Sequence, residues 1–249
     1  MLELLVTVIF LLKIGKAMYK YIFFLFTVFF SCQSMAVAVS SLFEIADKDT
    51  HIADIKVENN DKQDMFINME MLKVRYVDGK KVIEKLDRKN FDDWTFSVSP
   101  SQVILEPGER KTIRMMNHCE DACDFKEDQV YAVDITPVPY YEGKKSAVAV
   151  AFGYRTYFLD PVNTDNVELD YDLKRIDKDT FVFTNRSNTM LNAVLNTCKR
   201  EYSSNCIFEH RLLPNSTREF TFPKGSDDGS KQTFSVINAN EEINEQVIL

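Results

Sequence analysis

The stretch Ser146–Pro161, SAVAVAFGYRTYFLDP, decides the fold of this chain. Large and small residues alternate in its first half, and this period of two predicts a β-strand. The large residues share one face and are Val148, Val150, Phe152 and Tyr154. Both faces are apolar until Arg155, so both must be covered by other parts of a protein.

Two kinds of covering satisfy this strand. It fits the centre of a β-sandwich, where its small residues lie under tight packing. It also fits an edge strand whose large side chains are lent to another protein as a missing strand. An exposed apolar edge promotes aggregation, so a chain that keeps one needs a partner for it.

Short strands and turns continue upstream of this stretch. Ile52–Glu58 alternates, and Tyr131, Val133 and Ile135 share one strand face. Between them, Glu106-Pro107-Gly108 predicts a type II turn.

Two further upstream segments give more specific expectations. In Met65–Tyr76 the apolar phase shifts from odd to even positions, which predicts a β-bulge. Asp78-Gly79 predicts a tight turn. The charged segment Lys80–Asp93 then predicts a surface loop or a short helical turn.

A second run of strands follows the opening stretch. Asp160–Asp165 interrupts the pattern, and alternating segments such as Phe181–Phe183 and Gln232–Ile237 resume after it. The sequence therefore predicts an all-β protein with two sandwich domains, residues 37–161 and 162–249.

The N-terminus predicts an export signal in residues 1–36. A short basic segment after Met18 precedes the apolar run Ile22–Phe30, and Ser34–Ala38 offers small residues for cleavage. Leu2–Leu12 is a second apolar run, so an uncleaved anchor is the competing interpretation, and the true start is Met1 or Met18. We expect cleavage and export to an oxidising compartment.

The cysteines agree with export. Apart from Cys32, they form two close pairs, which predict two disulfide loops: Cys119 with Cys123, and Cys198 with Cys206. A metal site at His118–Cys119 is the alternative, but no second ligand pair has a recognised spacing. We predict no metal site.

Composition and motifs argue against several classes of function. A formal net charge of −8 disfavours nucleic-acid binding. No phosphate-binding glycine loop and no nucleophile–base motif occurs around His51, His118 or His210. We therefore predict that the chain is not an enzyme and uses no cofactor.

Several motifs together resemble the periplasmic pilus chaperones of the chaperone-usher pathway. The most specific is Val98–Arg114, VSPSQVILEPGERKTIR, with its Ser-Pro start, Leu-x-Pro-Gly turn and closing arginine. Supporting matches are Val57–Asn59, Val130–Val133 and Leu212–Arg218, in the same order along the chain. The resemblance implies two immunoglobulin-like sandwiches set at an angle.

The resemblance also implies a function and a site. The strand with Val148, Val150, Phe152 and Tyr154 would complete the unfinished fold of a pilus subunit, block its polymerisation without ATP and deliver it to an outer-membrane usher. Arg155 would hold the subunit's C-terminal carboxylate. The family's second basic residue has no equivalent in Ser40–Ile45. We expect a periplasmic protein, and self-association through the same edge when no subunit is bound.

The main rival function is a two-domain surface or adhesive sandwich protein, such as a pilus subunit. A subunit would carry its alternating segment as a free N-terminal extension. This chain has its best alternating strand at the end of the first predicted domain.

Overall fold

The computed structural model describes residues 37–77, 79–91, 94–118, 125–141, 153–198, 206–223 and 229–249. These residues form β-structure almost throughout, which confirms the predicted all-β class. Within these ranges, no helix has the length and apolarity needed to cross a membrane.

The strands before Pro161 form two sheets. Their bounds are β1 Val37–Val39, β2 Phe43–Ile45, β3 Ile52–Asn59, β4 Met65–Val77, β5 Lys80–Lys85, β6 Phe96–Ser99, β7 Gln102–Leu105, β8 Arg110–Asn117, β9 Gln129–Pro139 and β10 Tyr154–Asp160. One sheet has the order β1-β3-β8-β6. The other has the order β2-β10-β9-β4-β5, with β7 also paired to β4.

The two sheets pack face to face around one apolar core. Alternate side chains of β3 and β8, such as Ile55 and Ile113, meet those of β4 and β9, such as Ile67 and Tyr131. All four are fully or almost fully buried. This arrangement is a β-sandwich, as the alternation predicts.

The predicted bulge in β4 is wrong. The strand pairs with β9 in unbroken register from Met65↔Pro139 to Lys73↔Tyr131. The apolar phase shifts because the opposite face of β4 becomes buried, and Leu72 and Val74 pack in a separate cluster there. A strand covered on both faces produces the same sequence pattern as a bulge.

The predicted loop after Gly79 is wrong in its first part, because β5 forms there. Gly79 has φ +72° in the turn that joins β4 to β5, and Val77 pairs with Lys80. β5 is an edge strand with mostly exposed side chains. Lysines on an edge strand discourage further strand pairing, which explains its charged sequence.

The strands after Pro161 form two more sheets. Their bounds are β11 Tyr171–Arg175, β12 Thr180–Asn185, β13 Leu191–Asn196, β14 Ile207–Leu212, β15 Ser216–Thr221, β16 Thr233–Asn238 and β17 Asn244–Ile248. The sheet orders are β11-β12-β15 and β14-β13-β16-β17. Phe181 and Phe183 of the first pack on Phe208 and Phe234 of the second. This is a second sandwich.

One predicted disulfide is confirmed, and the other lies outside the described residues. Cys198 and Cys206 are bonded at the end of the β13–β14 hairpin, with their Cα atoms 5.1 Å apart. Cys119 and Cys123 are both outside the described ranges.

A buried asparagine ends one strand in each sandwich. Asn59, at the end of β3, accepts a hydrogen bond at Oδ1 from the Asp61 amide at 2.9 Å. Its Nδ2 donates to the carbonyls of Gln63 and Leu105, each at 2.9 Å. These bonds join the turn after β3 to the end of β7.

Asn185, at the end of β12, makes the same set of bonds. Its Oδ1 accepts from the Ser187 amide at 2.9 Å, and its Nδ2 donates to the carbonyls of Thr189 at 2.9 Å and Leu212 at 3.0 Å. The partners stand two and four residues further on, as with Asn59. We call Asn59 and Asn185 the asparagine clasps.

A third apolar cluster joins the two sandwiches. It contains Leu72 and Leu159 from the outer face of the sheet that includes β10, and Met190 and Ala239 from the second sandwich. All four are buried. The predicted boundary at Pro161 stays a prediction, but no sheet of the described residues combines strands from both sides of it.

Candidate functional site

β10 has a paired and an unpaired side at its N-terminal end. On one side it pairs with β9 from Tyr154↔Ile135 to Asp160↔Gln129. On the other side β2 pairs with it only from Tyr157↔Phe43 to Leu159↔Ile45. Among the described strands, none pairs with this side of β10 before Tyr157. Among the described strands, the backbone of β10 before Tyr157 therefore forms an edge of the sheet on this side.

Most of the predicted donor residues lie outside the described residues. Val148, Val150 and Phe152 belong to the gap at 142–152. Tyr154 is described, and it packs against the first core while its hydroxyl donates to the Val37 carbonyl at 2.7 Å. Tyr154 is therefore used within its own sandwich, and its role as a donor residue stays a prediction.

Gly153 explains how closely the residue before β10 approaches β9. A Cβ atom at this position would lie 3.0 Å from the backbone carbonyl oxygen of Ile135. Such a contact is tighter than most Cβ atoms make, so glycine permits the close approach of the two backbones.

Arg155 is paired with a carboxylate of its own sheet. Its Nε and one terminal nitrogen donate to the two oxygens of Asp134, both at 2.6 Å. The two residues are direct cross-strand neighbours, and their side chains are 37% and 29% exposed. A subunit carboxylate would have to compete with Asp134 for this guanidinium.

A second group of basic residues lies beside β10, in a cleft of about 200 Å³ between the two sandwiches. We call it the basic cleft. Its principal lining residues are Phe43, Tyr76, Lys81, Tyr157, Arg211 and Arg218. The lining residues in the described chain include no Asp or Glu.

Aromatic rings hold the cations of the cleft in place. Lys81 Nζ lies 4.5 Å from the ring centre of Tyr157 and donates to its hydroxyl. Arg211, from the second sandwich, lies 5.1 Å from the ring centre of Phe43. The two rings are themselves stacked at 6.5 Å. The Arg211–Phe43 contact therefore bridges the two sandwiches, and neither cation–π contact neutralises the positive charge.

The electrostatics of the cleft favour an anion. Arg211 lies 3.8 Å from Glu209, a long separation for an ion pair. Arg218 lies over Phe220, and burial together with the charge of Arg218 lowers the pKa of nearby His210. A guanidinium on an aromatic face keeps its in-plane donors available for a carboxylate.

The basic cleft was not found from the sequence. Lys81 stood in the segment predicted to be a loop, and Arg211 and Arg218 lie more than a hundred residues further along the chain. Only the sheet order brings these strands together. Leu212–Arg218 resembles a segment of the pilus chaperones, and this resemblance is the one sequence signal for the cleft.

One known protein family matches part of this chain. Residues 39–161 match the family described as the CS5 fimbrial protein N-terminal domain. No curated protein matches the chain.

Solved structures share the fold across most of the chain. The class 5 fimbriae chaperone CfaA is 15% identical, with a TM-score of 0.52 over 86% of this chain and 97% of that one. A chain of the CsuC–CsuE chaperone–tip adhesion subunit complex of Acinetobacter baumannii is 12% identical, with a TM-score of 0.51 over 86% and 97%.

A third structure gives the same result. A chain of the Salmonella enterica complex between the SafA pilin and the SafB chaperone is 12% identical, with a TM-score of 0.51 over 88% of this chain and 99% of that one. The resemblance to the pilus chaperones is confirmed, and the chain has their two-sandwich fold.

Proposed function

We propose that this chain is a periplasmic chaperone that lends a β-strand to pilus subunits, without ATP or catalysis, and delivers them to an outer-membrane usher. The observation that carries the proposal is the edge of β10, which lacks a described strand partner before Tyr157. The likeness in fold to pilus chaperones supports a chaperone role.

The sequence alternation suits this role. Val148, Val150 and Phe152 share the parity of Tyr154, whose ring packs against the core of the first sandwich. We propose that these three residues are lent to the core of a neighbouring, incomplete sandwich. An incomplete sandwich exposes both a groove and an unpaired strand edge, and one lent strand fills both. Without a subunit, we expect a second copy of the chain to use the same edge.

We propose that the subunit's C-terminal carboxylate binds in the basic cleft. Arg155 was the predicted anchor, but Asp134 already occupies its guanidinium. Lys81 and Arg211 face the cleft from opposite sandwiches without a close carboxylate partner in it. They supply the second basic group that Ser40–Ile45 lacks.

The substitution Val150→Asp tests strand lending. A carboxylate in the subunit's apolar groove is costly, so the amount of subunit that co-purifies with the chaperone should fall by at least tenfold. The matched control is Ile83→Asp, an exposed position on the edge strand β5. Undiminished co-purification with folded Val150→Asp protein would rule out strand lending through this face.

A structural pilus subunit is the second candidate, because the matching family is described as a fimbrial protein. A subunit would polymerise by itself. Purified protein that forms fibres at high concentration, without a partner, would support this candidate over the chaperone. Monomers, or dimers that dissociate when a subunit is added, would support the chaperone.

A further inference from the structure

Asn192 lies in the second sandwich, beside an arginine of the basic cleft. It is on β13, directly opposite Arg211 of β14, so the two side chains share one face of the sheet. Arg211 lines the cleft and lies over the ring of Phe43. Glu209 stands two residues before Arg211 and therefore on the same face of β14. An amide, a carboxylate and a guanidinium thus lie together beside the cleft.

The carboxylate of this group bonds to the amide and not to the guanidinium. Asn192 Nδ2 donates to Glu209 Oε1 at 3.0 Å. A terminal nitrogen of Arg211 lies 3.8 Å from that same oxygen, which is beyond hydrogen-bond length. The amide cannot be reversed, because its oxygen and the carboxylate are both acceptors. A neutral donor therefore engages Glu209, and the charge of Arg211 is left for a ligand.

The amide of Asn192 makes this bond at a cost. Its Oδ1 is buried, and among the residues that the structure describes it has no hydrogen-bond partner. A buried acceptor without a donor lowers stability, and such atoms are few in native proteins. Leucine has a similar shape and no polar atom, so it would avoid this cost. Residues that violate such a rule are expected mainly at functional sites.

We propose that Asn192 is a positioning residue of the basic cleft, which holds Glu209 away from Arg211 and leaves this guanidinium free for an anion. Without the amide, Glu209 can turn toward Arg211. The arginine would then be occupied by a carboxylate of its own sheet, as Arg155 is by Asp134. The use of the cleft by a subunit rests on the proposed function, whereas the effect of Asn192 on Arg211 does not.

The test measures the availability of Arg211 in the Asn192→Leu variant of the full chain, without a subunit. Phenylglyoxal modifies arginine side chains, and a guanidinium paired with a carboxylate reacts more slowly. Peptide mass spectrometry gives the rate for Arg211 relative to that for exposed Arg88 in the first sandwich. We expect this relative rate to fall about two- to threefold, because an exposed ion pair is weak.

A second readout separates this role from a merely structural one. Leucine removes the buried acceptor that has no described partner, so the urea midpoint of Asn192→Leu should equal or exceed that of the wild type. Replacing a residue kept only for its hydrogen bond would lower the midpoint. If Asn192→Leu does not fold, Asn192→Ala removes the same amide and replaces it in the rate measurement.

The matched control is the double variant Asn192→Leu with Glu209→Gln. It lacks the competing charge, so the relative rate for Arg211 should return to the wild-type value. An unchanged rate in Asn192→Leu, or a slower rate that Glu209→Gln does not restore, overturns the proposal.

Capture of subunit by the same variants tests the proposed function separately. It should fall in Asn192→Leu and recover in the double variant. Normal capture despite slower modification of Arg211 would support the role of Asn192 and count against subunit binding in the basic cleft.

Discussion

Asp128 is buried, and the groups in contact with its carboxyl oxygens are hydrogen-bond donors. Burial raises its pKa from 3.8 to about 7, while the bonds from Val162, Met190 and Thr189 oppose this rise. Asp160 adds a smaller repulsion, and burial raises the pKa of Asp160 too. The folded protein therefore holds a proton on Asp128 at pH values where the unfolded chain has released it.

This raised pKa predicts a pH-dependent stability. Between about pH 4 and pH 7 the folded state binds more protons than the unfolded state, so raising the pH lowers the free energy of unfolding. Asp128→Asn does not titrate. We expect the stability of the wild type relative to this variant to fall by about 1–3 kcal/mol from pH 5 to pH 8, measured by urea unfolding.

Glu127→Gln provides the control for this pH series, because the side chain is adjacent and exposed. Its stability difference from the wild type should be the same at both pH values. Parallel pH profiles for wild type and Asp128→Asn would contradict the raised pKa.

Single-residue roles were the least predictable from the sequence. Arg155 is the charge that ends the apolar alternation in the sequence, but its bond to Asp134 depends on the register between β9 and β10. Asp128 carried no sequence signal, since a carboxylate before a strand is usually a solvated turn residue. Only the folded structure shows that residues far along the chain bury this carboxyl group.

The asparagine clasps act on the ends of strands. Each clasp fixes the end of one strand against the carbonyl of a leucine that ends another, Leu105 or Leu212. A proline and a residue with positive φ follow each leucine: Gly108 at φ +79° in the first sandwich and Asn215 at φ +59° in the second. The two sandwiches thus repeat one local design at equivalent strand junctions.

Removing either clasp should destabilise the protein by a similar amount. Asn59→Ala and Asn185→Ala each leave two carbonyls and one amide without their partner, at a cost of about 2–4 kcal/mol in the free energy of unfolding. Urea unfolding measures this cost. Asn68→Ala is the matched control and should cost less than about 1 kcal/mol, because among the described residues its side chain bonds only to exposed Gln102. A control-sized loss at either clasp would contradict the shared role.

Most strands were predictable from the sequence, but which of their faces are buried was not. Alternation identified β3, β9 and most strands of the second sandwich, and Gly79 marked the β4–β5 turn. Alternation cannot distinguish a bulge from burial on a second face, as β4 shows. It also fails for edge strands such as β5, because an exposed strand needs no apolar face.

The whole molecule is acidic, yet its cleft is basic. The formal net charge is −8, whereas Lys81, Arg211 and Arg218 converge in the basic cleft. Converging cations repel one another, so an anion bound between them is favourable. The cleft could not be predicted, because it requires the order of strands in three sheets and the contact between two sandwiches.

Charge reversal in the basic cleft should weaken subunit capture. Arg211→Glu places a carboxylate where we propose that the subunit's carboxylate binds, so co-purification of subunit should fall at least tenfold, or about 1.4 kcal/mol. Arg155→Ala should have a smaller effect, because Asp134 already pairs with that guanidinium.

Lys174→Glu, an exposed charge reversal on β11, provides the control for overall charge. Capture of subunit should be nearly normal with this variant. If Arg155→Ala reduced capture more than Arg211→Glu did, the anchor would lie at Arg155 and the basic cleft would have another role.

The buried junction between the sandwiches has a consequence for the speed of recognition. A cleft with fixed walls is preorganised, so the entropy lost in aligning its cations is lost during folding and not during association. Encounter then requires no prior conformational step, and the positive field of the cleft can steer an anionic chain end from a distance comparable to the Debye length. In the proposed function, such a cleft would allow an unfinished subunit to be captured before that subunit meets another of its kind.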